Sequence, residues 1–174
     1  MTALSAWSMV TGRLRMTPAG YWDLRDLVAL KGDPRAFAQM LGGVRGPVQV
    51  AEELAQDIQD WGRFGYGMWS VRALRGKFLG VTGLMHRPDG RGVALRFAFW
   101  PEVRGVGLAS EAAGMALNYA HGVAGLSKVI AVAREDNFAS RMVLGSIGMA
   151  EVERFSREGI VRLVYQSVRS PSAG

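Results

Sequence analysis

The chain of 174 residues contains no cysteine. That absence removes a disulfide framework, a thiolate zinc site and a cysteine nucleophile together, and it suits a reducing compartment. Only two histidines occur, His86 and His121, too few for a histidine-based cluster, so no metal is expected. No run approaches ~18 uninterrupted apolar residues, the length a membrane-spanning helix needs. Residues 1–17 lack the basic start and apolar stretch of a signal peptide. A cytoplasmic location with no membrane partner is therefore expected. There is also no block of five or more like charges, although the formal net charge is +6 and the pI is about 10.3. The arginines are scattered from Arg13 to Arg96 and beyond, which reads as a solvated basic surface rather than a nucleic-acid footprint.

Two nucleotide-binding templates are missing as well. No Gly-x-x-x-x-Gly-Lys-Ser/Thr occurs, which excludes a P-loop. No Gly-x-Gly-x-x-Gly occurs either, because the third position after Gly107 is Ser110.

What the chain does have is an ordinary globular composition, 49% hydrophobic and 21% charged. At this length one domain spanning 1–174 is the simplest reading, with a core over about 12–168. Leu and Met alternate with Arg over 12–16, as in a half-exposed strand. Trp22, Leu27, Val28 and Leu30 predict a helix over 21–30. Val50, Leu54, Ile58 and Trp61 fall at helical spacing over 48–61, with Glu52, Glu53, Asp57 and Asp60 beside them. Three strands separated by turns follow over 66–100. A helix over 107–122, a short strand over 127–133, a helix beginning at Asp136 or Asn137, and a last hairpin over 149–168 complete the order, ahead of a frayed tail at 170–174. This predicts a mixed α/β (α+β) chain, with about seven mostly antiparallel strands and about four helices. The strands on either side of the 107–122 helix should be parallel.

The most informative segment is Phe99-Trp-Pro-Glu-Val-Arg-Gly-Val-Gly-Leu-Ala-Ser-Glu-Ala112. A strand ends, a basic glycine loop follows, and an alanine-rich helix begins. Such a junction suits phosphate. Glycines let the backbone approach an anion, the amides of the first helical turn have no partner, and the helix dipole is positive there. Arg104 adds a full charge. The plain alternative is an ordinary tight turn.

Arg104-x-x-Gly107-x-Ala109 resembles the pyrophosphate loop of the GCN5-related N-acetyltransferases, the GNAT family. A second segment, Asn137-Phe-Ala-Ser140 followed by an apolar helix face and Gly148-Met149, is similar to that family's next strand–helix unit, with Met149 in place of the usual aromatic. The motifs stand in the family's order and at its separation. The resemblance covers about 12–168 and leans toward the branch that includes the ribosomal-protein N-terminal acetylases.

The resemblance implies the GNAT fold, in which the two parallel strands splay apart around a pantetheine arm. It implies acetyl-coenzyme A as cosubstrate, a polyanion that a basic surface attracts. It implies direct transfer of acetyl, in a ternary complex, to a primary amine: a protein N-terminus or a small molecule. It places the cofactor against Phe97, Phe99, Arg104, Gly105, Val106, Gly107, Leu108, Ala109 and Asn137, and assigns Ser140 as the acid for the leaving thiolate. Asn137 would serve as a helix cap in any case. The glutamate that relatives carry near the start of the third meander strand is absent, since Ala94-Leu95-Arg96-Phe97 stands there. The base is therefore open, with His86, Glu102 and water as alternatives. The five tryptophans read mainly as core or rim packing, with one of Trp61 and Trp69, around Gly62, Gly65 and Gly67, as a candidate for the acceptor groove. Arg63, Arg72 and Arg96 are candidates for holding an acidic acceptor. An inactive coenzyme A-binding module and a basic nucleic-acid-binding domain remain as alternatives, and a homodimer is left open.

Overall fold

A computed structural model describes residues 6–171. The reading of 1–17 as free of a signal peptide, and of 170–174 as a tail, therefore falls partly outside the described residues. Strand β1 (Met9–Val10) leads into β2 (Leu14–Pro18). A 3-10 turn at Tyr21–Asp23 opens α1 (Leu24–Lys31), and α2 (Pro34–Phe37) and α3 (Pro47–Phe64) follow. The meander is β3 (Met68–Ala73), β4 (Phe78–His86) and β5 (Val93–Phe99). Then come α4 (Leu108–Gly122), β6 (Lys128–Arg134), α5 (Phe138–Ser146), β7 (Ala150–Arg157) and β8 (Ile160–Val168).

The strands form one eight-stranded sheet in the order β1-β2-β3-β4-β5-β6-β8-β7. Every neighbouring pair is antiparallel except β5 and β6. The sequence pattern missed one strand, since β1 is two residues long and too short for an alternation to register. It also missed α2, a single turn started by Pro34 and capped by the Asp33 side chain, which accepts from the Arg35 amide.

Helices α1, α2 and α3 cover one face, where Leu27, Leu30, Phe37, Val50 and Leu54 pack with Val81 and Ala98 of the sheet. Helix α4 covers the other. Its buried alanines, Ala112, Ala113, Ala116 and Ala120, let it lie close over Leu95, Phe99 and Leu163. Along the helix Ala112 and Tyr119 are buried, while Leu108 and Met115 are only partly so.

One aromatic expectation fails. Trp22, expected on a buried face, is 78% exposed, because the residues around it form a 3-10 turn rather than the first turn of α1. Trp61 and Trp69 are core, as expected of most of the tryptophans, and not acceptor groove. Their rings meet edge-on at 4.9 Å. Each indole N–H is satisfied internally, Trp61 donating to Met68 O at 2.9 Å and Trp69 to Trp7 O at 2.8 Å. The adjacent glycines reflect the close turn after α3, where Gly65 ends the helix with φ 72°.

Candidate active site

The parallel pair is joined at a single position, Ala94 opposite Ile130, whereas β6 and β8 pair along Lys128–Arg134. Beyond Ala94 the two strands diverge, and their facing edges have no ladder. Trp100 N–H donates to Leu79 O at 3.1 Å, on the β4 side. Main-chain groups alternate sides along a strand, so those of Phe97 and Phe99 face the gap.

Three cavities meet around this gap. The narrowest, about 160 Å³, is a cleft lined by Pro34, Arg35, Phe97, Phe99, Arg104, Ala109, Asn137 and Ser140, among others. Six of the ten residues singled out from sequence thus line one cleft: Phe97, Phe99, Arg104, Ala109, Asn137 and Ser140. Gly105, Val106, Gly107 and Leu108 shape its end from the loop without lining it.

That loop is built for amides. The first backbone bond of α4 runs from Glu111 N–H to Gly107 O at 3.0 Å. The amides of Leu108, Ala109 and Ser110 therefore precede the helical ladder and lack an intrahelical acceptor. Gly105 and Gly107 have φ of 85° and 79°, the left-handed region that side chains rarely adopt. Around Gly105 the space is open, and a Cβ on Gly107 would only touch Arg13 at 3.5 Å. Backbone conformation, not crowding, is what demands glycine there. Arg13 clasps the loop from β2's side, donating to Val106 O at 2.8 Å and pairing with Glu111 at 2.9 Å. Arg104 is exposed and donates to Arg35 O at 3.3 Å. Glu102, weighed as a base, is exposed and pairs with Arg35 at 3.3 Å.

Asn137 caps α5, its Oδ1 accepting the Ser140 amide at 3.2 Å. It is buried. Ser140, like Asn137 and Phe97, lines both the cleft and a larger cavity of about 380 Å³, so it stands where the two join.

A further cavity of about 350 Å³ lies between α3 and the β4–β5 pair and shares Met40, Phe97 and Ala98 with the cleft. Glu53, Asp57 and Asp60 line it from one stripe of α3, with Arg63, His86 and Arg96. Burial pushes the Asp57 carboxyl up to about 6; Asp60 and Glu53 add to this, and Lys31 and Arg96 oppose it. Burial raises Glu53 in the same way, but Lys31 and Arg45, at 2.9 and 3.0 Å, outweigh it and hold that carboxyl below its ordinary value. His86 is engaged: its Nε2 is 2.8 Å from the Tyr66 hydroxyl and its ring lies 4.3 Å from Phe64. Of the arginines proposed for an acceptor, Arg63 and Arg96 line this cavity. Arg72 instead pairs with Asp23 at 2.8 Å and Asp26 at 3.0 Å beside α1.

The sequence profile of the acetyltransferase (GNAT) domain matches residues 13–150. The chain belongs to the GNAT family. It is an acyltransferase by that membership, as the pyrophosphate-loop resemblance implied. No curated protein matches it by sequence. Among solved structures it is similar to an acetyltransferase from Agrobacterium tumefaciens, at 23% identity and TM-score 0.83, covering 93% of this chain and 94% of that one. The ribosomal-protein-S5-alanine acetyltransferase from Vibrio fischeri aligns at 12% identity and TM-score 0.72, covering 93% and 96%. A ribosomal L7/L12 α-N-protein acetyltransferase in complex with coenzyme A aligns at 15% identity and TM-score 0.73, covering 92% and 97%. The branch suspected from sequence is thus represented among the GNAT folds this chain resembles. Among the described residues, no helix is long and apolar enough to cross a membrane.

Two functional candidates escaped the sequence reading. Asp57 was seen only as one acid on an amphipathic helix; its departure from its neighbours lies in lacking the cationic partners that Glu53 has. Arg13 falls on the exposed half of a strand alternation, and the glycine loop it reaches lies 93 residues further along the chain.

Proposed function

We propose that this acetyltransferase moves an acetyl group from acetyl-coenzyme A directly to a primary amine within a ternary complex. The observation that carries this reading is the cleft that opens where β5 and β6 part. It joins unpaired main-chain groups of Phe97 and Phe99 to the amides at the start of α4. An elongated ligand with an amide-rich arm and a pyrophosphate needs both in one line. The Leu108–Ser110 amides, the helix dipole and Arg104 suit the pyrophosphate. The Phe97 and Phe99 main chain suits the arm and positions the thioester.

In the transfer, the amine nitrogen forms a bond to the acetyl carbon as the carbon–sulfur bond breaks. The amine gives up a proton and the leaving thiolate takes one. Asp57 is our assignment for the proton acceptor. It lines the cavity that shares Phe97 with the cleft, and a carboxylate raised to about 6 is ionised at neutral pH yet basic enough to share an ammonium proton. Asp57 thus supplies from α3 the carboxylate that the sequence lacks at Ala94. Ser140, at the mouth between cleft and larger cavity, is our assignment for the group that passes a proton to the thiolate.

Calorimetric titration with acetyl-coenzyme A tests the reading. Wild type binds, and Gly107→Glu, which sets a carboxylate among the loop amides, loses binding by at least 100-fold. Gly107→Ala, carrying the same backbone strain without the charge, retains most of it. No binding by wild type sinks the reading.

A further inference from the structure

The 380 Å³ cavity that adjoins the cleft at Phe97, Asn137 and Ser140 is lined by six arginines, Arg45, Arg87, Arg96, Arg134, Arg157 and Arg162. Its one acidic residue, Glu158, sits at the tip of the β7–β8 hairpin and is exposed. Three of the arginines are spent on structure. Arg45 pairs with Glu53 at 3.0 Å and donates to Leu41 O at 2.8 Å. Arg87 pairs with Asp89 at 2.6 Å, and Arg134 with Asp136 at 2.9 Å.

The other three have no carboxylate partner among the described residues. Arg96 is half-buried on β5, and among the described residues its one side-chain hydrogen bond is Nη1 to the Met85 sulfur at 3.0 Å. Burial lowers its pKa, with Arg45 and Arg87 adding to the fall and Glu53 and Asp57 partly offsetting it. Arg162 is half-buried on β8, and its Nε is shut off from solvent with no hydrogen-bond acceptor. Arg157 stands exposed at the end of β7. A buried guanidinium N–H without an acceptor costs free energy, and cations gathered around one cavity repel, as Arg45 and Arg87 do Arg96. An arrangement of this kind is stabilised by an anion seated between them.

We propose that this cavity selects the acceptor: the substrate is a primary amine that also carries a carboxylate or phosphate, held by Arg96 and Arg162 with Arg157 at the rim. The inference rests on the acetyl-transfer reading and narrows it. Arg96 lines both this cavity and the one holding Asp57. The anionic end of such an acceptor would lie on the arginine side, with its ammonium toward Asp57 and the shared Phe97. Opposite charges at opposite ends would then set the orientation of the amine.

The test uses the full chain. Acetyl-coenzyme A affinity is first measured calorimetrically for wild type, Arg162→Met, Arg162→Lys and Arg96→Met, with thermal unfolding as the check on folding. Steady-state acetylation is then measured with glutamate, phosphoethanolamine, uncharged counterparts of similar size (glutamine amide, ethanolamine) and spermidine. Glutamate or phosphoethanolamine should exceed its counterpart at least tenfold in kcat/KM, and the better of the two tells whether the anion is carboxylate or phosphate. Arg162→Met should raise the acceptor KM at least tenfold and Arg162→Lys less, with acetyl-coenzyme A affinity unchanged within twofold. Three results overturn the inference: preference for spermidine or for the uncharged amines, no discrimination at all, or a loss of acetyl-coenzyme A affinity in Arg162→Met, which would assign the arginines to the cofactor's phosphates. Failure of wild type to bind acetyl-coenzyme A would instead remove the reading beneath it.

Discussion

Replacing Asp57 with Asn should make the protein more stable and less active, and the two effects should share one pH. The native chain holds the Asp57 proton more tightly than the unfolded chain, with the carboxyl raised from 3.8 to about 6. Between those values the native state binds more protons, so the stability Asp57 contributes is fully present below 3.8 and is lost as pH rises through about 6. A rise of that size corresponds to about 3 kcal/mol. Asp57 is only half-buried and water screens it, so roughly 1–2 kcal/mol is expected at pH 8. That is a rise in Tm of about 2–8 °C for a chain of this length. Urea unfolding followed by tryptophan fluorescence, on wild type and Asp57→Asn between pH 4 and 8, measures it. The difference should be near zero at pH 4 and grow through pH 6. In acetylation assays wild-type kcat/KM should fall as pH drops through about 6, and the variant should be at least 100-fold slower at pH 7.5. A pH-independent stability difference, or a variant destabilised at pH 8, would refute the burial argument. A fully active variant would remove Asp57 from the reaction.

Three other substitutions separate structure from chemistry. Asn137→Ala should cost about 1 kcal/mol through loss of the α5 cap, read by urea unfolding, and should also weaken acetyl-coenzyme A binding, because the cap lines the cleft. Ser140→Ala should lower kcat about tenfold while leaving acetyl-coenzyme A affinity within twofold; an unchanged kcat assigns the thiolate's proton to water. Trp69→Ala should destabilise by about 3–5 kcal/mol with no selective change in acceptor KM, since the ring is core and not groove.

Local signals carried most of what the sequence could say. The glycine loop and the Asn137 cap are each a few residues long and depend on backbone conformation, so they are written contiguously. The meander and the parallel crossover follow from the order of periodic segments. What stayed hidden depends on distance. Arg45, Arg96, Arg157 and Arg162 come from a helix-connecting loop and three strands, and nothing in the chain shows that they share a cavity. Asp57 looks like its neighbours until the partners of each carboxylate are known. Trp22 departs from its expected environment because a 3-10 turn, not the first turn of a helix, carries it outward, whereas Trp61 is buried with the apolar stripe of α3 on which its spacing places it.

The one-position junction between β5 and β6 bears on how the molecule comes apart. Strands β1 to β5 form one hydrogen-bonded block and β6 to β8 another, and a single bridge stitches them, with α4 laid across the seam. Such a molecule has a built-in line of weakness along its own reaction centre. On the function proposed above, an extended cosubstrate lying between Phe97 and Phe99 on one side and Asn137 on the other would act as mortar in that seam. Amide exchange in β5 and β6 should slow when it binds and quicken when product leaves, so that each catalytic cycle also tightens and loosens the joint between the two halves of the sheet.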